Sequence, residues 1–433
     1  MADVRPLRGL RYATPPVENL ASVVTPPYDV ISKEAQARYY ARSPYNIIRL
    51  ELGEERSSDN SLNNVYTRAA ATLSEWRLQG ILREEETPAY YVYQQVFTHE
   101  GQRYIRTSLI ARVRLENWDA QVILPHEHTL AKAKDDRLQL LRACATNLSP
   151  LMCLYDDPQG RVRRLLASYV AQPAVHITDE VGEEHLLTPI YDAQQVALIQ
   201  NFFEQRQLYI ADGHHRYETA LAYRNEVREQ RNGLHADDAA NFVMMALIDL
   251  DDPGMLVLPT HRVLIALDAS ALDALTPERL GRFFTVQEMN AKETSDALVR
   301  RLQQEQQPAM LLGTARRILL LVLNEQGEQR MRESGHSEAW NELDVAVAQR
   351  LVLEETLGLS AADMTAGTHV RYIRDADQAL HAVQVGEAQV ALLLNATRVR
   401  QICEVAQTDD RMPQKSTYFY PKLITGLVMN PLW

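Results

Sequence analysis

Two periods of apolar and polar positions run along the chain, and they predict its elements. Residues 1–24 mix short apolar pieces with prolines, and TPPYDVI (25–31) follows. There Pro26 and Pro27 force an extended entry and present Tyr28 and Asp29 at a turn. Residues 46–52 (NIIRLEL) alternate as a half-buried strand does, while 65–82 have the three- and four-residue spacing of an amphipathic helix, with Gly80 to stop it. Residues 89–97 and 103–115 are rich in Tyr, Val and Ile around His99-Glu100-Gly101, which predicts a hairpin. Asp135 or Asp136 then caps a helix with the apolar face Leu138, Leu141, Ala145 and Leu148, and 151–155 is the next strand. Residues 156–184 carry no clear period. A helix over 191–207 follows, then strands over 241–249 and 256–264, the second carrying His261 and Arg262. In the last third a helix over 343–357 is closed by Gly358. Strand, helix and strand over 370–373, 377–383 and 389–394 suit a right-handed crossover.

The period changes most abruptly at 208–221, LYIADGHHRYETAL. Leu208, Tyr209 and Ile210 form the short apolar run of a buried strand, and helical spacing begins at Tyr217. Between them Asp212, Gly213, His214, His215 and Arg216 pack a carboxylate, two imidazoles and a guanidinium around one glycine. A helix opening behind such a turn aims its first N–H groups and positive dipole end at whatever lies above it, which favours an anion. Gly213 permits close approach, Arg216 offers a planar fork for phosphate, and the histidines add switchable charge.

A second cluster opens at Leu124, in LPHEHTLAKAKDDRLQLL. His126, Glu127 and His128 are consecutive, so in an extended segment Glu127 faces away from both histidines. Each cluster follows an apolar strand and opens toward a helix. Parallel strands put such ends on one sheet edge, so a single site built from both clusters is expected. A third segment, MPQKSTYFYPKLITGL (412–427), sets Lys415, Ser416, Thr417 and Lys422 among aromatic rings, and Lys415 is the expected point charge for a phosphate.

Composition narrows the class. A chain of 433 residues exceeds one comfortable core, and three parts are expected: an N-terminal α/β part over 1–120, a core over 121–265, and a C-terminal α/β part over 266–433. A net charge of −12 disfavours non-specific binding to nucleic acid or anionic membrane. The start, MADVRPLRGLRY, has no apolar targeting run, and apolar runs such as 318–323 are too short to span a bilayer. Three cysteines without metal spacing suit a reducing cytoplasm.

TPPYDV, the HEHT…DRLQLL…NLSP block, ADGHHRYETA and MPQKSTYFYPKL together resemble the bacterial and archaeal family called domain of unknown function 1015, from near residue 5 to the C-terminus. The PHEHT block and the DGHHRY turn also resemble the ParB/sulfiredoxin-like fold, most of all its free-serine kinase branch. That resemblance implies a mixed α/β fold with a ParB/sulfiredoxin-like core. It implies that Asp212, Gly213, His214, His215 and Arg216 cradle nucleotide phosphates and that Glu127 is the base acting on a substrate hydroxyl. His214 stands where sulfiredoxin proper has its catalytic Cys, so sulfinic-acid reduction is not implied. Nor does the chain show the Gly-x-Arg-Arg turn and basic helix-turn-helix of ParB-type CTPases.

The leading expectation is therefore a cytoplasmic small-molecule kinase using Mg²⁺ with ADP or ATP. In it Glu127, His214 and His215 are catalytic, Lys415 joins the phosphate site, Asp212 helps to hold Mg²⁺, and His126 and His128 face the substrate. Two alternatives share these residues. One is a metal-dependent hydrolase with Zn²⁺ or Mn²⁺ on His126, His128, His214, His215 and Asp212. The other is a non-catalytic nucleotide sensor.

Overall fold

Every position of the strand Phe242–Asp249 (FVMMALID) is buried, the pattern of a strand covered on both faces. A nine-stranded mixed sheet is built around it. On one side follow Leu151–Tyr155 (parallel), Leu208–Asp212 (antiparallel to it) and Ile123–Leu124 (parallel to that). On the other side Gln102–Arg114, Tyr90–His99, Glu184–Ile190 and Val175–Thr178 run antiparallel in succession. Val4–Arg5 pairs with the far end of Gln102–Arg114. The expected hairpin closes through Glu100 and Gly101 at φ 49° and 77°, the two positive values that a tight turn between twisted strands requires.

The computed structural model describes residues 1–129, 131–360, 363–364 and 367–433. It divides into two units, Met1–Pro125 with Thr129–Met255 and Pro421–Trp433, and His126–His128 with Leu256–Tyr420. The boundary expected near residue 120 runs through the sheet of the first unit, because Gln102–Arg114 pairs directly with Phe242–Asp249. In that unit the helices Ala193–Phe203 and His214–Gln230 bury Ile199, Phe203, Tyr217 and Ala220 in a core with strand residues such as Cys153, Ile210 and Met245. A second core gathers Leu10, Tyr12, Leu73, Trp76, Leu140 and Leu148 around the helices Val65–Leu78 and Ala131–Cys144.

The second unit has a six-stranded antiparallel sheet in the order Phe284–Met289, Ile318–Leu323, Ala309–Thr314, Val390–Leu394, His261–Leu264, Val370–Ile373. Val370–Ile373 and Val390–Leu394 are each antiparallel to His261–Leu264. They are therefore parallel to one another, joined by the helix Ala376–Gln384, and a strand lies between them. Leu298, Leu302, Leu380 and Val383 carry the helix–sheet core. The helix expected over 343–357 forms as Asp344–Val347 continued by the wider π-wound Ala348–Thr356, and Gly358 at φ 69° follows. No helix among the described residues is long and apolar enough to cross a membrane.

Three expected elements differ. Residues 46–52 are not a strand but carry a short helix, Ile48–Glu51, whose start is tied by the Asn46 side chain accepting from the Ile48 N–H at 3.0 Å. Asp135 and Asp136 lie inside Ala131–Cys144 rather than capping it. The strand expected over 256–264 breaks after Leu258 into two pieces in different sheets, because Pro259 cannot donate to a ladder.

Phe203 has no exposed surface and packs edge-on to Tyr155 at 5.0 Å between centroids. Phe203→Ala is expected to cost about 3–5 kcal/mol, read as a lower midpoint in urea unfolding.

Candidate functional site

The conspicuous turn is made by its own strand. Ile210 pairs with Cys153 and Asp212 with Met152, so the register slips at Ala211. Such a bulge re-aims the residue after it. Gly213 then takes φ 97° and ψ 28°, and the helix His214–Gln230 begins at once, three residues before apolar spacing reveals it. The N-cap side makes no side-chain bond to the first turn, and that turn has no acidic residue. A Cβ at Gly213 would sit 2.9 Å from Arg216 Nη2, and the left-handed angle favours glycine there as well. His214 is buried and His215 half-buried.

Asp212 carries the electrostatics. Arg216 Nη2 donates to its Oδ2 at 2.8 Å, and the Lys422 ammonium pairs with its Oδ1. Burial alone would push this carboxyl up. Lys422 and Arg216 outweigh that and hold it well below the usual carboxylate range. The same Arg216 donates through Nη1 to the Pro150 carbonyl at 2.7 Å and to Ser149 Oγ at 3.2 Å. Ser149 in turn donates to Glu51 Oε1 at 3.1 Å, and Arg137 Nη1 bonds the Glu51 carbonyl at 3.0 Å. Arg137 also lies 4.0 Å over the Tyr28 ring. A cavity of about 50 Å³ opens among Glu51, Arg137, Ser149 and Arg216. TPPYDV, DRLQLL, NLSP, DGHHR and PKL thus supply one polar network inside the first unit.

Glu51, Arg137, Ser149 and Lys422 were not expected in it: Glu51 sat in a segment read as strand, Arg137 and Ser149 stood in quoted motifs without a role, and Lys422 was noted without one. The signal for Lys422 was its place between the buried Pro421 and Leu423, where a half-buried lysine favours a carboxylate partner.

The strand before each cluster is placed as expected: Leu208 pairs with Ile123 and Tyr209 with Leu124 in parallel. Beyond Leu124 the residues His126–His128 group with the second unit. There they meet the C-terminal segment. The Met412 N–H donates to the His126 carbonyl at 2.8 Å, Glu127 bridges Met412 in parallel, and His126 Nε2 is 3.3 Å from Thr417 Oγ1. His126 is buried, Glu127 half-buried and His128 exposed. Lys415, also exposed, stands at φ 56° in the same unit. The lysine that pairs with the turn is Lys422, seven positions further on. Arg262 is buried and points at the carbonyls of Gln414 and Lys415 at 3.5 and 3.4 Å. Burial lowers His261 to about 4, and its Nδ1 accepts from the Leu394 N–H at 3.2 Å. Among the described residues, the histidines and carboxylates of the two clusters form no group of three able to share one metal ion.

Because the folded state depresses the Asp212 carboxyl, its stabilisation is present above the ordinary value of 3.8 and is lost as pH falls below it. Asp212→Asn is expected to cost about 3–5 kcal/mol at neutral pH by leaving two cations without their carboxylate. In urea titrations at several pH values, the gap between wild type and variant should shrink as the solution is acidified below that value. The double variant Asp212→Asn with Lys422→Met should lose less than the sum of the singles.

No curated protein matches the chain. Among solved structures, a conserved hypothetical protein from Pyrococcus furiosus is similar at 12% identity and TM-score 0.36, over 75% of this chain and 97% of that one. A free serine kinase in complex with AMP is similar at 10% identity and TM-score 0.36, over 74% and 91%. SbnI from Staphylococcus aureus, truncated at its C-terminus, is similar at 12% identity and TM-score 0.35, over 75% and 87%. A family model described as "Protein of unknown function (DUF1015)" matches residues 4–346, most of the chain, and the protein belongs to that family.

Proposed function

We propose that the protein is a nucleotide-dependent small-molecule kinase whose phosphate site is the turn Asp212–Arg216. The observation that carries this reading is the start of a 17-residue helix, opened by a glycine at φ 97° and with no acidic residue in its first turn. Its first N–H groups and dipole favour an anion. His214 and His215 add charge when protonated. Arg216 and Lys422 against Asp212 leave one net positive charge at the same place.

The reaction asks mainly for positioning and charge. Glu127 takes the proton of the substrate hydroxyl, the freed oxygen forms the new P–O bond, and the nucleotide leaves with the electrons of the old one. His126 and His128 hold the substrate, and Lys415 supplies a point charge to a phosphate. A direct Mg²⁺ ligand at Asp212 does not fit, because each of its oxygens already holds a cation. A nucleotide sensor would share the binding and lack the turnover.

Titration calorimetry with ADP and with ATP tests the binding. Gly213→Ala should weaken the nucleotide about tenfold or more, roughly 1.4 kcal/mol, because the added methyl crowds the approach to the backbone. Unchanged affinity in a folded variant would sink the phosphate assignment. Glu127→Gln should keep nucleotide affinity and lower turnover by about 10²–10⁴. Lys415→Met should weaken the nucleotide without moving the melting temperature.

A further inference from the structure

The hairpin loop between the strands Val175–Thr178 and Glu184–Ile190 lies in a stretch with no clear period, yet it gathers three ligand types in the first unit. Asp179, Glu183 and His185 each offer one ligand atom, and these atoms lie within 4.8 Å of one another. His185 has no exposed surface and Glu183 only 7%.

The loop is held from several directions. Asp179 Oδ1 accepts from the N–H groups of Val181 and Glu183 at 3.0 and 2.9 Å. The neighbouring Glu180 carboxylate is bonded by Tyr39 and Arg42. That leaves the second Asp179 oxygen directed at the ring: Oδ2 is 3.3 Å from His185 Nε2.

The length is informative. A charge-assisted bond from imidazole to carboxylate relaxes to about 2.7–2.9 Å. Two ligands on a tetrahedral ion with bonds of roughly 2.1 Å sit about 3.4 Å apart. On the other side of the ring, Nδ1 lies 2.8 Å from the Tyr93 hydroxyl. A bond from the second ring nitrogen is the usual outer support of a metal-bound imidazole. Asp179 and Glu183 bring two carboxylates to the ring, and Arg106 lies near enough to feel the Glu183 charge.

We infer that Asp179, Glu183 and His185 bind a divalent transition-metal cation through His185 Nε2 and one oxygen from each carboxylate, with water completing the shell. One imidazole and two carboxylates suit Zn²⁺ or Mn²⁺. Any proton on Nε2 passes to solvent as the ion enters, and Nδ1–H then donates to Tyr93. The site is separate from the nucleotide proposal and needs no nucleotide to be measured.

The test uses the full chain, stripped with chelator and equilibrated with Zn²⁺ by dialysis. About one ion per chain is expected to stay bound. Asp179→Asn keeps an oxygen for both loop N–H groups and removes the charge that faces His185, so it should abolish binding while lowering the melting temperature of the metal-free protein only a little. His185→Gln should do likewise. If that variant fails to fold, Asp179→Asn still decides the matter. Tyr93→Phe should weaken Zn²⁺ by about tenfold or more. Retention of no ion by the wild type would overturn the inference. Unchanged binding in a folded Asp179→Asn would overturn it as well, by putting the ion on other residues.

Discussion

A carboxylate at the end of a buried strand has lost much of its water, and in this protein two cations replace it. Asp212 is held by Arg216 from the helix it precedes and by Lys422 from a segment 210 positions away. Desolvating an ion costs several kcal/mol before any pairing, so the arrangement stands only if both partners are themselves fixed. They are. Arg216 is anchored on the Pro150 carbonyl, at the start of the adjacent strand. The backbone around Lys422 is bonded by buried side chains: Arg106 donates to the Pro421 carbonyl and Gln95 to the Lys422 carbonyl at 2.9 Å. One ion triad therefore fixes the start of a helix, the end of a strand and the docking of the last residues against the sheet.

That constraint also explains why the turn has its particular residues. The guanidinium folds back over the backbone to reach Asp212, and glycine gives it room while adopting the left-handed angle. The helix start is then left without a side-chain cap. The positive end of the helix dipole meets no carboxylate in its own first turn, which favours an anion there.

Much of this was legible in the sequence because it is local. The strand, the glycine and the polar run at 208–216 are adjacent, and so are the two strands and the turn of the hairpin closed by Glu100 and Gly101. The partners that come from far away were not legible. Glu51 alternates with apolar neighbours as an outward-facing strand residue would. It is instead buried to 2%, paired with Ser149 and near Arg137, both about a hundred positions on. The helix opening at His214 was hidden because its first turn is polar on all sides and follows no apolar stripe. Asp179, Glu183 and His185 went unnoticed for a related reason. Ligands on a hairpin loop obey the spacing of the turn, which differs from that of a helix. The expectation that His126–His128 and the C-terminal segment carry chemistry led to a different pairing. They meet each other, through Met412 and Thr417.

The central claim is that the turn is a phosphate site built on the helix start that Gly213 opens. A crystal structure of the protein with ADP bound tests it most directly. The account predicts phosphate oxygens about 2.7–3.2 Å from the backbone nitrogens at the start of the helix, His214 and His215 among them, with Gly213 beneath them. A nucleotide bound elsewhere, with those nitrogens facing only solvent or protein, would contradict it.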